Sequence, residues 1–273
     1  MDVRAVPNPL RPGAGHVPAR ENRRAWLPQQ TRFCPVVEDV NKLGFLVYPP
    51  LEDHEALQLR AGHDDTLTAT FLAADELGEY HPAFEAHVDA AGTIAMTVVD
   101  ADRIASEAAA HELLEAVVVD LNQPSGTVGL RGAYGFATPA GWDTLFTSVF
   151  NDLPRPIVPA LSTRLATDGT EHHSVFWYTL RPGQVLGLAG GSPIGQAFFL
   201  PREDIELIDG TPEEEQRFVE VQRDYWAERA TKEKTTNYGA TFTYHYRDHQ
   251  KARRAGAPDA LGLLQDGHNG AGD

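Results

Sequence analysis

"FEAHVDAAGTIAMTVVD", residues Phe84–Asp100, decides the fold class. Two β-prone runs flank Ala90-Ala91-Gly92. The second run sets Ile94, Met96 and Val98 on one face, the period-2 spacing of a half-buried strand, so the stretch reads as a hairpin. Just upstream, Leu67, Ala69 and Phe71 alternate with three threonines over Thr66–Phe71 and predict its neighbour. Working outward, further strand signals occur at Phe33–Tyr48 (closing in GFLVYPP), Ala116–Leu121, Thr127–Phe136, Asp143–Phe150, Ile157–Thr163, His173–Leu180, Gln184–Ala189 and Ile194–Leu200. Turn-forming stretches separate them: QPSG, TPAGW, NDLPRP, TDGT, RPG and GGSP. Many short strands at regular spacing predict a mainly β protein, a jelly-roll or barrel-like sandwich, with a C-terminal α-helix.

Two helices interrupt the pattern. Asp102–Glu115 is Ala-rich and is expected to cross one end of the sheet. The second covers about 211–233. Thr211, Pro212 and Glu214 supply an N-cap, an N1 proline and the N3 carboxylate of a capping box. Phe218, Val221, Tyr225 and Trp226 then form an apolar stripe, which is expected to pack back on the sheet. Residues 1–30 are rich in Pro, Arg and Gly and read as a flexible arm, 31–254 as a single β-rich domain, and 255–273 as a disordered tail.

The 273 residues include 42% hydrophobic and 23% charged side chains, ordinary globular usage that rules out disorder over the whole length. The net charge of −16 argues against partners that need a basic surface, both nucleic acid and anionic membrane. A single cysteine, Cys34, excludes an internal disulfide and Cys-rich zinc sites. It reads as a small core residue or a lone nucleophile. No apolar run is long enough to span a bilayer, and MDVRAVPNPLRPGAG lacks the apolar core of a secretory signal, so the expected compartment is the cytoplasm. The expected partner is a small-molecule substrate. The sequence sets no oligomeric state.

The stretch "RFCPVVEDVNKLGFLVYPP" (Arg32–Pro50) resembles the opening of an uncharacterised bacterial family known only as a domain of unknown function. The similarity extends to Ala140-Gly141-Trp142, Asn151, Ser192-Pro193-Ile194-Gly195-Gln196, Pro201-Arg202 and Trp226. It implies a compact β-rich fold and brings no activity with it. Ala140 stands where the family's turn has proline.

Three chemistries are open. The first is acid–base work at one end of "TEHHSVFWYTLRPG" (Thr170–Gly183), where Glu171, His172 and His173 lie together and Arg181 follows the strand. Strand parity sets His173 with Trp177, and His172 with Phe176 and Tyr178. The second is an aromatic-lined pocket using Trp142, Phe146, Trp177 and Tyr178, with Asn151 and Gln196 as polar contacts. The third is a non-haem Fe(II) oxygenase triad, His87-x-Asp89 with His173 and Arg181 downstream. Each has a plainer alternative: loop-edge histidines, core aromatics, and an Asp that simply opens a turn. No phosphate-binding loop, dinucleotide fingerprint or nucleophile elbow is present. GLAGGSPIGQ leads into no helix and reads as a tight hairpin. The chain is thus expected to be a small-molecule tailoring or cyclising enzyme of specialised metabolism. The oxygenase and a non-catalytic binding or assembly module are the alternatives. Beyond iron under the oxygenase reading, no cofactor is implied.

Overall fold

The opening stretch forms the predicted hairpin. In the computed structural model, which describes residues 2–21, 23, 25, 27–28, 31–32, 34–119, 127–169, 173–235 and 241–255, its arms are the fifth and sixth strands. In chain order the elements are β1 (Arg4–Pro7), α1 (Pro35–Asn41), β2 (Phe45–Val47), β3 (Glu55–Ala61), β4 (Leu67–Ala74), β5 (Tyr80–Val88), β6 (Ile94–Val98), α2 (Glu107–Val117), β7 (Val118–Val119) and β8 (Thr127–Arg131). There follow β9 (Tyr134–Ala137), β10 (Trp142–Thr147), β11 (Thr163–Ala166), β12 (Val175–Thr179), β13 (Val185–Ala189), β14 (Gly195–Pro201), α3 (Pro212–Thr231), β15 (Lys234–Thr235), β16 (Thr241–Phe242) and α4 (His245–Arg254). The protein is mainly β, with antiparallel sheets and a helical C-terminus.

The largest sheet has the order β13-β3-β4-β5-β6. Its turn closes at Gly92, whose N–H donates to the Asp89 carbonyl (2.9 Å) at φ 80°, a conformation glycine adopts freely. Phe71 and Phe84 face each other across β4 and β5, rings stacked 5.3 Å apart. Beyond them the register slips and Leu72 faces Pro82, leaving Ala83 as the extra residue of a bulge. The Ala83 carbonyl instead accepts from Val99 and Asp100. A four-stranded sheet runs β11-β10-β14-β2 and a three-stranded one β12-β8-β7, while β1 pairs with β9. Each of these sheets has two edges, so none of the described sheets closes into a barrel.

One core joins them. It draws Leu57 and Leu59 from β3, Ala69 and Phe71 from β4, Phe84 and Ala86 from β5, and Leu114 and Val117 from α2. Leu130 (β8), Phe146 (β10), and Phe176 and Tyr178 (β12) also belong to it. Every residue of this cluster precedes Glu203, the end of the first of two structural units, Met1–Glu203 and Asp204–Asp273.

Several expected strands are cut by specific neighbours. Phe33–Tyr48 divides: Pro35 opens α1, and only Phe45–Val47 pairs, with β14. Thr127–Phe136 breaks at Gly132, where a Cβ would lie 2.0 Å from Ser174 Oγ. The Ala116–Leu121 run is helical at its start, because α2 carries buried Ala116 and Val117 into the core and leaves Val118–Val119 as strand. Ile157–Thr163 yields its place to Thr163–Ala166. Helix α2 starts at Glu107 rather than Asp102, because Ser106 Oγ accepts from Ala109 N–H and caps it there. The capping box of α3 forms as expected. The contacts of its Tyr225 are with His245 and His249 of α4, inside the second unit.

The first thirty residues, expected as a flexible arm, supply β1 and the buried Asn8, whose Nδ2 donates to the Ala116 carbonyl (3.1 Å). Among the described residues, no helix is long and apolar enough to cross a membrane.

Candidate functional site

The aromatic strand is built as parity requires. On β12, Phe176 and Tyr178 face the core and are buried, while Val175 and Trp177 are half-buried on the other face. The Trp177 ring lies against Gly129 of β8, its cross-strand partner, where a Cβ would meet it at 3.2 Å. His173 is half-buried, two residues before the strand, whereas Glu171 and His172 lie outside the described residues. Arg181 is exposed in the turn, its N–H held by Gln184 Oε1 at 2.8 Å. Phe146 packs edge-on against Phe176 at 5.7 Å, a core contact. Tyr178 donates its hydroxyl proton to the Ile194 carbonyl, and burial pushes its pKa up. Gln196 bridges two backbones, accepting from Phe150 N–H and donating to the Leu43 carbonyl. Asn151, in the left-handed region at φ 59°, donates to Asn41 Oδ1 at 2.7 Å. Asn tolerates that conformation well. These polar groups tie strands together rather than converge on one point.

The iron ligand set does not assemble. His87 is exposed on β5 beside Thr68, with its Nδ1 3.3 Å from Thr68 Oγ1. Asp89 Oδ1 accepts from the N–H groups of Ala91 (2.9 Å) and Thr93 (2.8 Å), which makes it the cap of the hairpin turn. These hydrogen bonds, the one from Thr93 first, hold its carboxyl below the usual range. His173 precedes a strand of another sheet. Among the described residues, the groups of three ligands whose atoms lie within 4.8 Å of one another do not include His87, Asp89 and His173.

Trp142 opens β10 beside an ion-pair cluster. Asp143 is buried and accepts from Arg202 Nη2 (2.6 Å) and Arg164 Nε (2.7 Å), while Arg202 also reaches Asp168 (2.8 Å). Asp168 in turn accepts from Gly141 N–H. Arg202 first, then Arg164, holds the Asp143 carboxyl below its ordinary value, and Arg202 does the same to Asp168. The Gly-Trp turn and the Pro201-Arg202 end of β14 are thus stapled together. With both carboxylates depressed, the stabilisation is fully present above the unfolded carboxylate value of about 4. It is lost as pH falls through the lower folded values. The melting temperature of the wild type is therefore expected to drop on acidification below about pH 4. Asp143→Asn is expected to melt lower at pH 7 and to lose less on acidification, read by calorimetry across pH.

A different set of polar groups does converge, where the N-terminal segment crosses the Tyr48-Pro49-Pro50 turn. The crossing is fixed by close packing. Gly15 has φ 79°, and a Cβ on it would meet the Pro49 carbonyl oxygen at 2.3 Å. Arg11 clamps the same turn, donating to the Pro50 carbonyl (2.8 Å) and to both Glu55 oxygens (2.6 and 2.7 Å). Its bidentate guanidinium fork matches a carboxylate that is itself buried.

This docking brings His16 Nε2 to 2.6 Å from Asp53 Oδ1 and sets the His16 ring 5.2 Å from that of Tyr48. Tyr48 donates its hydroxyl proton to Glu21 Oε1 (2.7 Å). Burial, then Glu21, raises the Tyr48 pKa, so the phenol stays a proton donor. Arg23, only 3% exposed, sits in the field of Glu21, Asp152 and Tyr48, and burial lowers its pKa. Asp152 pairs with Arg155 Nε at 2.9 Å, and Arg155 also reaches the Pro193 carbonyl. Gly191 borders the His16–Asp53 pair: a Cβ there would lie 3.9 Å from both.

The arrangement is an imidazole held against a carboxylate, a protonated phenol beside it, and the buried Arg23 guanidinium in the field of that phenol. None of His16, Tyr48, Asp53, Arg23, Asp152 or Arg155 stands out in the sequence as a site residue. The Tyr-Pro-Pro motif and the arginines of the N-terminal segment are the only pointers there. No protein-family model matches the chain and no curated protein is significantly similar to it, so no family is assigned.

Proposed function

We propose that the protein is an enzyme that acts on a small molecule by acid–base chemistry, a tailoring or cyclising reaction of specialised metabolism, at the crossing of the N-terminal segment over the Tyr-Pro-Pro turn. The observation that carries the reading is the His16–Asp53 pair seated on Tyr48. With Nε2–H donated to the Asp53 carboxylate, Nδ1 of His16 is left to take a proton from a bound molecule. Tyr48 seats the imidazole ring, while its hydroxyl, donated to Glu21, holds that carboxylate beside the pair. Under this reading the finer architecture is a sandwich of the jelly-roll type, supported by the single core shared between the five-stranded sheet and its partners.

The test is consumption of a small molecule from a metabolite mixture, followed by mass spectrometry with wild type, His16→Gln and Tyr48→Phe. Turnover that survives His16→Gln unchanged overturns the assignment.

A binding or assembly role has one observation behind it: the close-set exposure of Ile205 (95%), Leu207 (96%) and Ile208 (76%). Large apolar side chains set so close together on a surface mark contact sites. On that reading, Ile205→Ser with Leu207→Ser lowers the sedimentation coefficient at high protein concentration and leaves turnover intact. An unchanged coefficient rejects self-association through this segment.

A further inference from the structure

The second unit has a histidine where a core should be. Among its described residues, through Ala255, only His245 is buried, and its side chain is fully so. Helix α3 buries no residue at all. The described part of this unit buries little apolar surface, and small units of this kind are commonly held by a disulfide, a metal or a partner subunit. The chain's single cysteine excludes the first.

The side chains around His245 form a ligand set. His245 and His249 lie four residues apart on α4 and so share one face, with ring centroids 4.6 Å apart. Glu228 reaches across from α3, its Oε2 3.8 Å from Nε2 of each histidine. All three ligand atoms lie within 4.8 Å of one another. Bond lengths to a tetrahedral ion imply ligand-to-ligand separations of about 3.3–3.5 Å, so a contraction of a few tenths of an ångström brings the carboxylate to coordinating distance.

A second observation points to a ligand. His245 Nε2 is buried with no hydrogen-bond partner, and at 3.8 Å the Glu228 oxygen is too far to accept from it. A buried polar nitrogen left in this state is destabilising, and coordination removes the penalty. The surroundings suit a metal ligand. Tyr225 packs its ring on both histidines, at 4.6 and 5.5 Å. Lys232 Nζ holds the other Glu228 oxygen at 2.5 Å and leaves Oε2 turned toward the rings.

We propose that Glu228, His245 and His249 bind one divalent transition-metal ion of the zinc type, which ties α4 to α3 and organises the C-terminal unit. Two imidazoles and one carboxylate select zinc, cobalt or nickel over magnesium and calcium, which require sites built from oxygen ligands. Three protein ligands leave a coordination position for water or an outside group.

The experiment uses the full-length, tag-free chain freed of metal with a chelator, titrated with Zn2+ by calorimetry and with Co2+ by visible absorption. The expected result is one ion per chain, the intense visible bands of four-coordinate cobalt, and a gain in helical circular dichroism. His249→Ala and Glu228→Gln are expected to weaken binding 10-fold or more, and His245→Ala to abolish it. Because His245→Ala can also unfold the unit, the partly exposed His249 and Glu228 decide the outcome. The separate cluster Asp75–Glu79–His81 provides the control: His81→Ala leaves stoichiometry and affinity unchanged. No binding by the wild type, binding that survives His249→Ala and Glu228→Gln, or binding lost in His81→Ala overturns the proposal.

Discussion

Phe84→Ala is expected to destabilise the protein by about 3–5 kcal/mol, the cost of removing a buried phenylalanine together with the cavity it leaves. Phe84 has no solvent exposure, stands on β5 between β4 and β6, and stacks on Phe71 with the ring planes 6° apart. Three features keep the site from collapsing around an alanine. Its cross-strand neighbour is itself aromatic, the bulge at Ala83 fixes the backbone beside it, and the strands on both sides are paired to it. For a unit of about two hundred residues each kcal/mol lowers the melting temperature by about 2–4 °C, so a fall on the order of 10 °C follows. Urea unfolding monitored by tryptophan fluorescence measures it, and the denaturant slope stays at its wild-type value. Tyr80→Ala, an exposed position on the same strand, is expected to change stability by no more than about 0.5 kcal/mol. Equal losses in the two variants would mean that the shared core does not carry the stability.

His16→Gln is expected to lower kcat by about 10²–10⁴-fold, the usual contribution of a positioned acid–base group. Asp53→Asn is expected to act in the same direction and less strongly, because it disturbs the orientation and tautomer of the imidazole without removing it. Neither change is expected to move the melting temperature by more than about 2 °C, because a hydrogen bond between two exposed side chains contributes little to folding. His16 is 46% exposed and Asp53 81%. That separation between lost turnover and retained stability distinguishes a catalytic pair from a structural one. His87→Gln, on the outer face of β5, serves as the matched control and is expected to keep wild-type turnover.

The β character of the chain is legible because it is local. Leu67, Ala69 and Phe71 alternate with threonine, and Asp89 and Gly92 close a turn; both facts are readable over a dozen residues and both are found. Helix α1 is hidden because its seven residues are too few to show a helical period and lead straight into the apolar strand GFLVYPP, with Pro35 the one cue to a helix start. The site is less legible still. His16 meets Asp53 across 37 residues, and Tyr48 meets Glu21 across 27. No period or spacing encodes a contact made by single side chains from irregular segments. The N-terminal segment is rich in Pro and Gly, which reads as looseness. Here those residues permit close approach instead, as at Gly15 beside Pro49. Parity along β12 does separate Phe176 and Tyr178 from Trp177. It does not say which face is core.

The crossing of the N-terminal segment also sets the order in which the protein is built. Asn8 leaves the ribosome well before the groups that receive it. Asn8 waits for Ala116 and Gly132, which follow it by 108 and 124 residues, and Gln196 closes on Leu43 across 153. Contacts of such long sequence separation form slowly, because the chain entropy of closing the loop is lost before any burial offsets it. Asn8 therefore stays without these partners until β8 and the turn after it are complete.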